Sequence, residues 1–96
     1  MLSKQNFKMK NIELYDSLKN LYEILRDEGF SKELDSLNKL MYSLEINDLI
    51  NFRKYFKSKD IWGGAGSIRD ISIRDIDKQN KIDTYLKVIK NLGKNI

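Results

Sequence analysis

Leu14, Leu18, Leu21 and Leu25 stand four, three and four residues apart, with Tyr15 and Tyr22 seven apart beside them. At helical pitch these positions fall on one side, the apolar stripe of an amphipathic helix. The spacing predicts a helix over residues 6–28. Its end is marked as well: Gly29 sits where a left-handed C′ residue belongs, and Phe30 at C″ is placed to fold back on Leu25 at C3, the contact of a Schellman stop. A helix this long with one apolar face needs other elements to cover it.

The sequence supplies them in order. Ser31 offers a hydroxyl cap for a second helix carrying Leu34, Leu37, Leu40, Met41 and Leu44. The pattern shifts around residues 43–47, where Asn47 offers an N-cap and Asp48 a carboxylate in the first turn of a third helix with Leu49, Phe52 and Phe56 inward. Between Ile61 and Asp77 the helical period stops. Trp62-Gly63-Gly64-Ala65-Gly66-Ser67 reads as a turn, and Ile71 and Ile73 then alternate with polar neighbours as a short extended segment. A tandem echo, Ile68-Arg69-Asp70-Ile71 and Ile73-Arg74-Asp75-Ile76, is too short for a repeat architecture. A last helix from near Asp77 to near Leu92 buries Ile82, Tyr85, Leu86, Ile89 and Leu92, with Gly93 as its stop. The expectation is an all-α fold: a compact four-helix bundle-like domain spanning residues 1–96, with a Gly-rich loop and short extended segment between helices 3 and 4.

Composition narrows the chemistry. With 96 residues, 41% hydrophobic and 33% charged, the chain has enough apolar material for one core and too much for a disordered tail. It contains no cysteine and no histidine, which removes disulfides, thiolate and imidazole metal sites, the Cys nucleophile and the commonest general base. Residues 1–11 lack the apolar stretch of a secretory signal, and nowhere do 18 apolar residues run together. These features predict a soluble cytoplasmic protein, not an enzyme, with no cofactor and no metal. The net charge is +4, unevenly placed: residues 1–47 hold 7 Lys+Arg against 8 Asp+Glu, whereas residues 78–96 hold five lysines against Asp83 alone. Lysine, asparagine and isoleucine share A/T-rich codons, a source of basic charge that needs no partner.

Several constellations carry a functional and a plain reading. The glycines after Trp62 suit an anion-binding nest, or only a tight connection beneath a buried Trp62 with Asp70 bonded to its backbone. The connection is the better reading, because Gly66-Ser67 leads into an extended stretch and not into the Gly-Lys-Ser/Thr helix of a phosphate loop. Asp75-x-Asp77-x-x-Asn80 is a faint calcium pattern lacking the loop glycine and final glutamate, and helix capping by Asp75 or Asp77 explains it better. Arg53, Lys54, Lys57 and Lys59 interleave with Phe52, Tyr55 and Phe56 as in single-strand nucleic-acid binders. The i, i+4 spacing of Phe52 and Phe56 makes them core residues and the cations a solvated rim. Lys87, Lys90 and Lys94, with Lys78 and Lys81 nearby, form a second basic area able to steer an acidic protein or a phosphate backbone.

The segment Trp62-Gly63-Gly64-Ala65-Gly66-Ser67-Ile68-Arg69-Asp70-Ile71 resembles a family of small uncharacterised bacterial proteins, in which an aromatic-Gly-Gly-x-Gly-Ser-x-x-Asp-aliphatic motif follows three helices and precedes a final one. In size and style the chain is also similar to immunity proteins of bacterial polymorphic or contact-dependent toxin systems. That second resemblance implies a cytosolic protein that blocks a toxin domain by binding it. The basic charge departs from the acidic character common among partners of nuclease toxins, so the resemblance implies an acidic contact surface on the toxin or a site away from the lysines. The partner-binding candidates are Trp62, Gly63, Gly64, Gly66, Ser67, Asp70, Lys87, Lys90 and Lys94. The alternative is a small nucleic-acid-binding protein using Arg53, Lys54, Lys57 and Lys59. The oligomeric state is open, because an apolar helix face serves a core or a subunit contact equally well.

Overall fold

The computed structural model describes residues 2–63 and 67–96, with side chains from Asn11 onward. The leucine stripe forms α1 (Leu2–Asp27), and Leu14, Leu18, Leu21 and Leu25 are all buried. Its stop is a complete Schellman motif. Phe30 N–H donates to Leu25 O (2.9 Å), Gly29 N–H donates to Arg26 O (3.1 Å), and Gly29 has φ +86°. The chain reverses there into α2 (Ser31–Glu45), which runs back along α1 until Tyr15 Oη donates to the Glu45 carboxylate. Ser31 does not cap α2 as expected: it is the first helical residue, and Phe30 holds the cap position without a side-chain bond. The Schellman stop already fixes Phe30, so α2 begins at once.

The second corner repeats the device with asparagine. Asp48 N–H donates to Ser43 O (2.8 Å), Asn47 N–H donates to Leu44 O (3.2 Å), and Asn47 takes φ +58°, a conformation asparagine tolerates better than most residues. The cap of α3 (Leu49–Phe56) therefore falls to Asp48 and not Asn47. Asp48 Oδ1 accepts from Asn51 N–H (3.2 Å) and Oδ2 from Asn51 Nδ2 (2.6 Å). Phe52 is fully buried, and Leu49 and Phe56 lie half-buried on its flanks.

A single-turn helix, α4 (Lys59–Trp62), follows where the sequence suggested only a turn. Ser58 Oγ caps it by accepting from Asp60 N–H (3.1 Å), and Ile61 drops into the core. A 3₁₀ turn at Ile68–Asp70 leads to residues 71–75, which are not helical; among the described residues no strand forms. The extended segment finds its hydrogen bonds in one side chain instead of a partner strand. Gln79 Oε1 accepts from Ile73 N–H (2.7 Å), and Gln79 Nε2 donates to Ile71 O (3.3 Å). Asp75 then caps α5 (Ile76–Gly93), its Oδ1 accepting from Lys78 N–H (3.1 Å).

The protein is all-α, with α1 as the central element packed along both α2 and α5, and α2 along α3. Lys78 Nζ meets Glu28 Oε1 (3.5 Å) at one end of the α1–α5 pair, while Asn11, Leu14, Leu92 and Asn95 line one opening at the other, so the two helices are antiparallel. Phe52, Ile61, Ile68, Ile82 and Ile89 join the α1 and α2 leucines in one hydrophobic cluster. The radius of gyration, 13.2 Å, equals the value of about 13 Å for a compact chain of this length. No helix among the described residues is long and apolar enough to cross a membrane.

Candidate protein-binding surface

Trp62 ends α4 and is held there by two contacts. Its Nε1 donates to Phe56 O (2.7 Å), and its ring meets the Phe56 ring edge-on with centroids 5.5 Å apart at 69°. Phe56 stacks in turn on Phe52 (5.7 Å, 18°) and covers Gly93. A Cβ at Gly93 would stand 2.6 Å from Phe56 Cζ, well inside contact distance. Gly93 is thus no helix stop, contrary to expectation: it is a buried residue of the last turn of α5, where only a missing side chain lets the ring approach. Through Trp62, Phe56 and Gly93 the start of the Gly-rich segment is packed against the C-terminal turn of α5.

The second basic area runs along α5 to its C-cap, Lys94. Lys87, Lys90 and Lys94 are exposed at i, i+3 and i+7, one helix face. Among the described residues three ion pairs form, Arg26–Asp27, Lys39–Asp35 and Lys78–Glu28, and none includes these lysines. Lys78 belongs elsewhere, at the far end of α5 on Glu28.

The Gly-rich segment divides. Gly64 and Gly66 lie outside the described residues. Gly63 N–H closes α4 on Lys59 O (2.8 Å). Trp62 is half-buried, where full burial was expected. Ser67 is buried and its hydroxyl has no partner among the described residues, a position that costs about 1–3 kcal/mol when a polar group loses water without replacement. Whether Asp70 bonds to the loop backbone turns on residues 64–66, which lie outside the described residues. Asp70 is exposed, its carboxylate makes no bond among the described residues, and Gln79 secures the following segment. A glutamine inside a helical pattern gave no sequence signal for that role.

The first basic area, Arg53, Lys54, Lys57 and Lys59, is exposed as expected, with Arg53 Nε donating to Ile96 O (2.9 Å). The aromatics between these cations are occupied. Phe52 is buried, Phe56 is wedged between Trp62 and Gly93, and Tyr55 is half-buried with Lys39 Nζ 5.8 Å from its ring centroid. Base stacking would have to displace packed rings, so this face offers phosphates charge without an aromatic platform. Asp75 acts as a cap, and among the described residues no three carboxylates gather closely enough to hold a metal.

Tyr15 and Tyr22 are half-buried flanks of the core. The Tyr15 phenol is raised from 10.0 to about 12, first by its hydrogen bond to the Glu45 carboxylate, then by burial and by the charges of Glu45 and Asp16. No family model, curated protein or solved structure matches the chain.

Proposed function

We propose that the chain is a non-catalytic protein-binding module, an immunity protein that neutralises a cognate bacterial toxin in the cytosol by direct binding. The observation that carries this reading is the packing of Trp62 on Phe56 and of Phe56 on Gly93, which ties the flank of the Gly-rich segment to the end of α5, the helix that leads to three lysines with no ion pair among the described residues. A half-buried tryptophan packed through Phe56 on the end of the lysine-bearing helix suits an acidic protein surface, with the indole as anchor and the lysines steering approach. The contact residues are Trp62, Gly63, Gly64, Gly66, Ser67, Asp70, Lys87, Lys90 and Lys94.

Co-expression with a growth-arresting product of a neighbouring gene tests the reading. Growth should be restored and the two proteins should co-elute. Lys87→Glu, Lys90→Glu and Lys94→Glu together should weaken the complex at least tenfold, about 1.4 kcal/mol, without lowering the melting temperature. Absence of rescue and of co-elution sinks the function; full affinity in the triple variant sinks the surface.

The nucleic-acid reading retains one favourable observation, the 11 Lys+Arg against 6 Asp+Glu in residues 48–96. Fluorescence anisotropy with RNA and duplex DNA oligonucleotides at low salt separates the two. Affinity that falls steeply with added salt would replace the immunity reading by this one.

A further inference from the structure

Two stretches of the chain carry cations and no Asp or Glu: residues 49–59, with Arg53, Lys54, Lys57 and Lys59, and residues 84–96, with Lys87, Lys90 and Lys94. The fold brings them together. Phe56 covers Gly93, Arg53 Nε donates to Ile96 O (2.9 Å), and Leu49 lines one opening with Leu92, Asn95 and Ile96. As α3 advances, its partners on α5 and the residues just beyond it recede, so the two segments run antiparallel where they touch.

That direction decides which cations share a side. Arg53 and Lys57 stand three before and one after Phe56, and Lys90 and Lys94 stand three before and one after Gly93. Lys57 N–H donates to Arg53 O (3.1 Å) and Lys94 N–H to Lys90 O (3.3 Å), so helical geometry holds through both pairs. At about 100° per residue, each pair lies about 60° and 100° round from its contact residue in the same rotational sense. Antiparallel helices that face each other turn such positions to the same side of their contact, where parallel ones would turn them to opposite sides. Arg53, Lys57, Lys90 and Lys94 therefore share one side of the α3–α5 junction, and all four are exposed. Lys54 points away from the junction, and Lys81 lies on the other side of α5.

Among the described residues none of the four forms an ion pair, and the terminal nitrogens of Arg53 have no hydrogen-bond partner. The flanking carboxylates are engaged or set apart. Asp48 caps α3, Asp60 lies beyond the break at Ser58, and Asp83, two turns before Lys90 on the same face, accepts from Gln79 Nε2 (3.1 Å). Like charges grouped around one contact repel, and what covers them must be anionic. Two observations select the carboxylates of a protein over phosphates. Phe56 is packed between Trp62 and Gly93, so unstacked bases find no free ring, and four cations fall short of the about 6–10 phosphate contacts of a strongly salt-sensitive duplex binder. Trp62 on the Phe56 ring adds the apolar anchor that protein interfaces favour.

Resting on the protein-binding reading for the class of partner, we propose that Arg53, Lys57, Lys90 and Lys94 form one docking surface for an acidic protein segment, whose carboxylates meet α3 and α5 together.

Amide nitrogen-15 shifts of the full chain titrated with poly-L-glutamate at about 0.15 M salt, where charges separated by more than about 8 Å are screened, read this surface directly. The amides around all four cations should move together and saturate at one glutamate concentration. Lys57→Gln with Lys90→Gln, one from each helix, should weaken binding about five- to tenfold. Lys54→Gln with Lys81→Gln, the same change of charge on faces turned elsewhere, should alter it less than about twofold. Circular dichroism should match the parent in both. No binding, shifts confined to one helix, equal weakening by the two pairs, or tighter binding of single-stranded RNA or duplex DNA oligonucleotides to the same four residues would each overturn the proposal. Full affinity of Lys57→Gln with Lys90→Gln for a co-eluting toxin would do so too and leave the immunity reading in place. Absence of any toxin rescue with the glutamate map intact would sink that reading and leave this surface standing.

Discussion

A methyl group added at Gly29 meets nothing within 4 Å, whereas one added at Gly93 collides with the Phe56 ring. The two substitutions should therefore both destabilise, through different physics. Gly29→Ala must hold φ +86° with a side chain, a strain of about 1–2 kcal/mol that depends on no neighbour. Gly93→Ala overpacks a buried contact at about 1–3 kcal/mol. On this size of chain either corresponds to a fall in melting temperature of roughly 4–8 °C per kcal/mol. Phe56→Leu should absorb part of the Gly93→Ala loss and none of the Gly29→Ala loss, so a double-mutant cycle by thermal unfolding separates the mechanisms. Tyr15 makes a different statement. Its folded value near 12 exceeds the ordinary 10.0, so the neutral phenol is favoured by folding. The stability it contributes is complete below pH 10 and lost as pH rises towards 12. A phenolate absorbance titration should show a late phase from Tyr15, and Tyr15→Phe should remove both that phase and the matching part of the alkaline stability loss. At Ser67 the expectation reverses sign: Ser67→Ala removes a buried hydroxyl that has no partner among the described residues and should hold or raise the stability, by up to about 1 kcal/mol, as read from the melting temperature.

Helix ends carry the argument at the next scale. Asp48→Ala and Asp75→Ala should each cost about 1 kcal/mol, because each carboxylate caps a helix by accepting an N–H bond. Ser31→Ala should cost almost nothing, since no side chain caps α2. Three melting temperatures check this. The same three sites explain what the sequence could disclose. The leucine period and the Gly29-Phe30 stop are local, and the structure keeps them to the residue. The cap of α3 moved by one position because Asn and Asp are near equivalents as caps; what separates them is that α2 needs a left-handed residue to end on, and Asn47 meets that need. α4 was invisible because four residues are too few to display a period. The place of Trp62 against the end of α5 could not be read at all, since it depends on Phe56 reaching Gly93 from a distant part of the chain. The lysines themselves were legible as exposed residues of one helix face.

At the scale of the molecule, α1 shares its buried leucines between α2 and α5, so no pair of helices owns a core of its own. Leu18 is wholly buried at the centre of that stripe, and Leu18→Ala should cost about 2–5 kcal/mol. A domain of this size has a total stability of roughly 5–15 kcal/mol, so the variant should be largely unfolded or melt far below the parent. The loss should be felt everywhere at once. Trp62 reports on the α3–α4 side through Phe56, while far-ultraviolet circular dichroism is dominated by α1, α2 and α5. If the shared core makes the chain one cooperative unit, tryptophan fluorescence and circular dichroism will give a single coincident denaturant transition, and Leu18→Ala will shift both equally. The alternative is an α1–α2 hairpin that melts apart from the remainder, seen as two midpoints. Because Ile61 and Ile68 sit in the same cluster as the α1 leucines, separating the pieces would expose apolar surface on both, and coincidence of the two probes is the expected result.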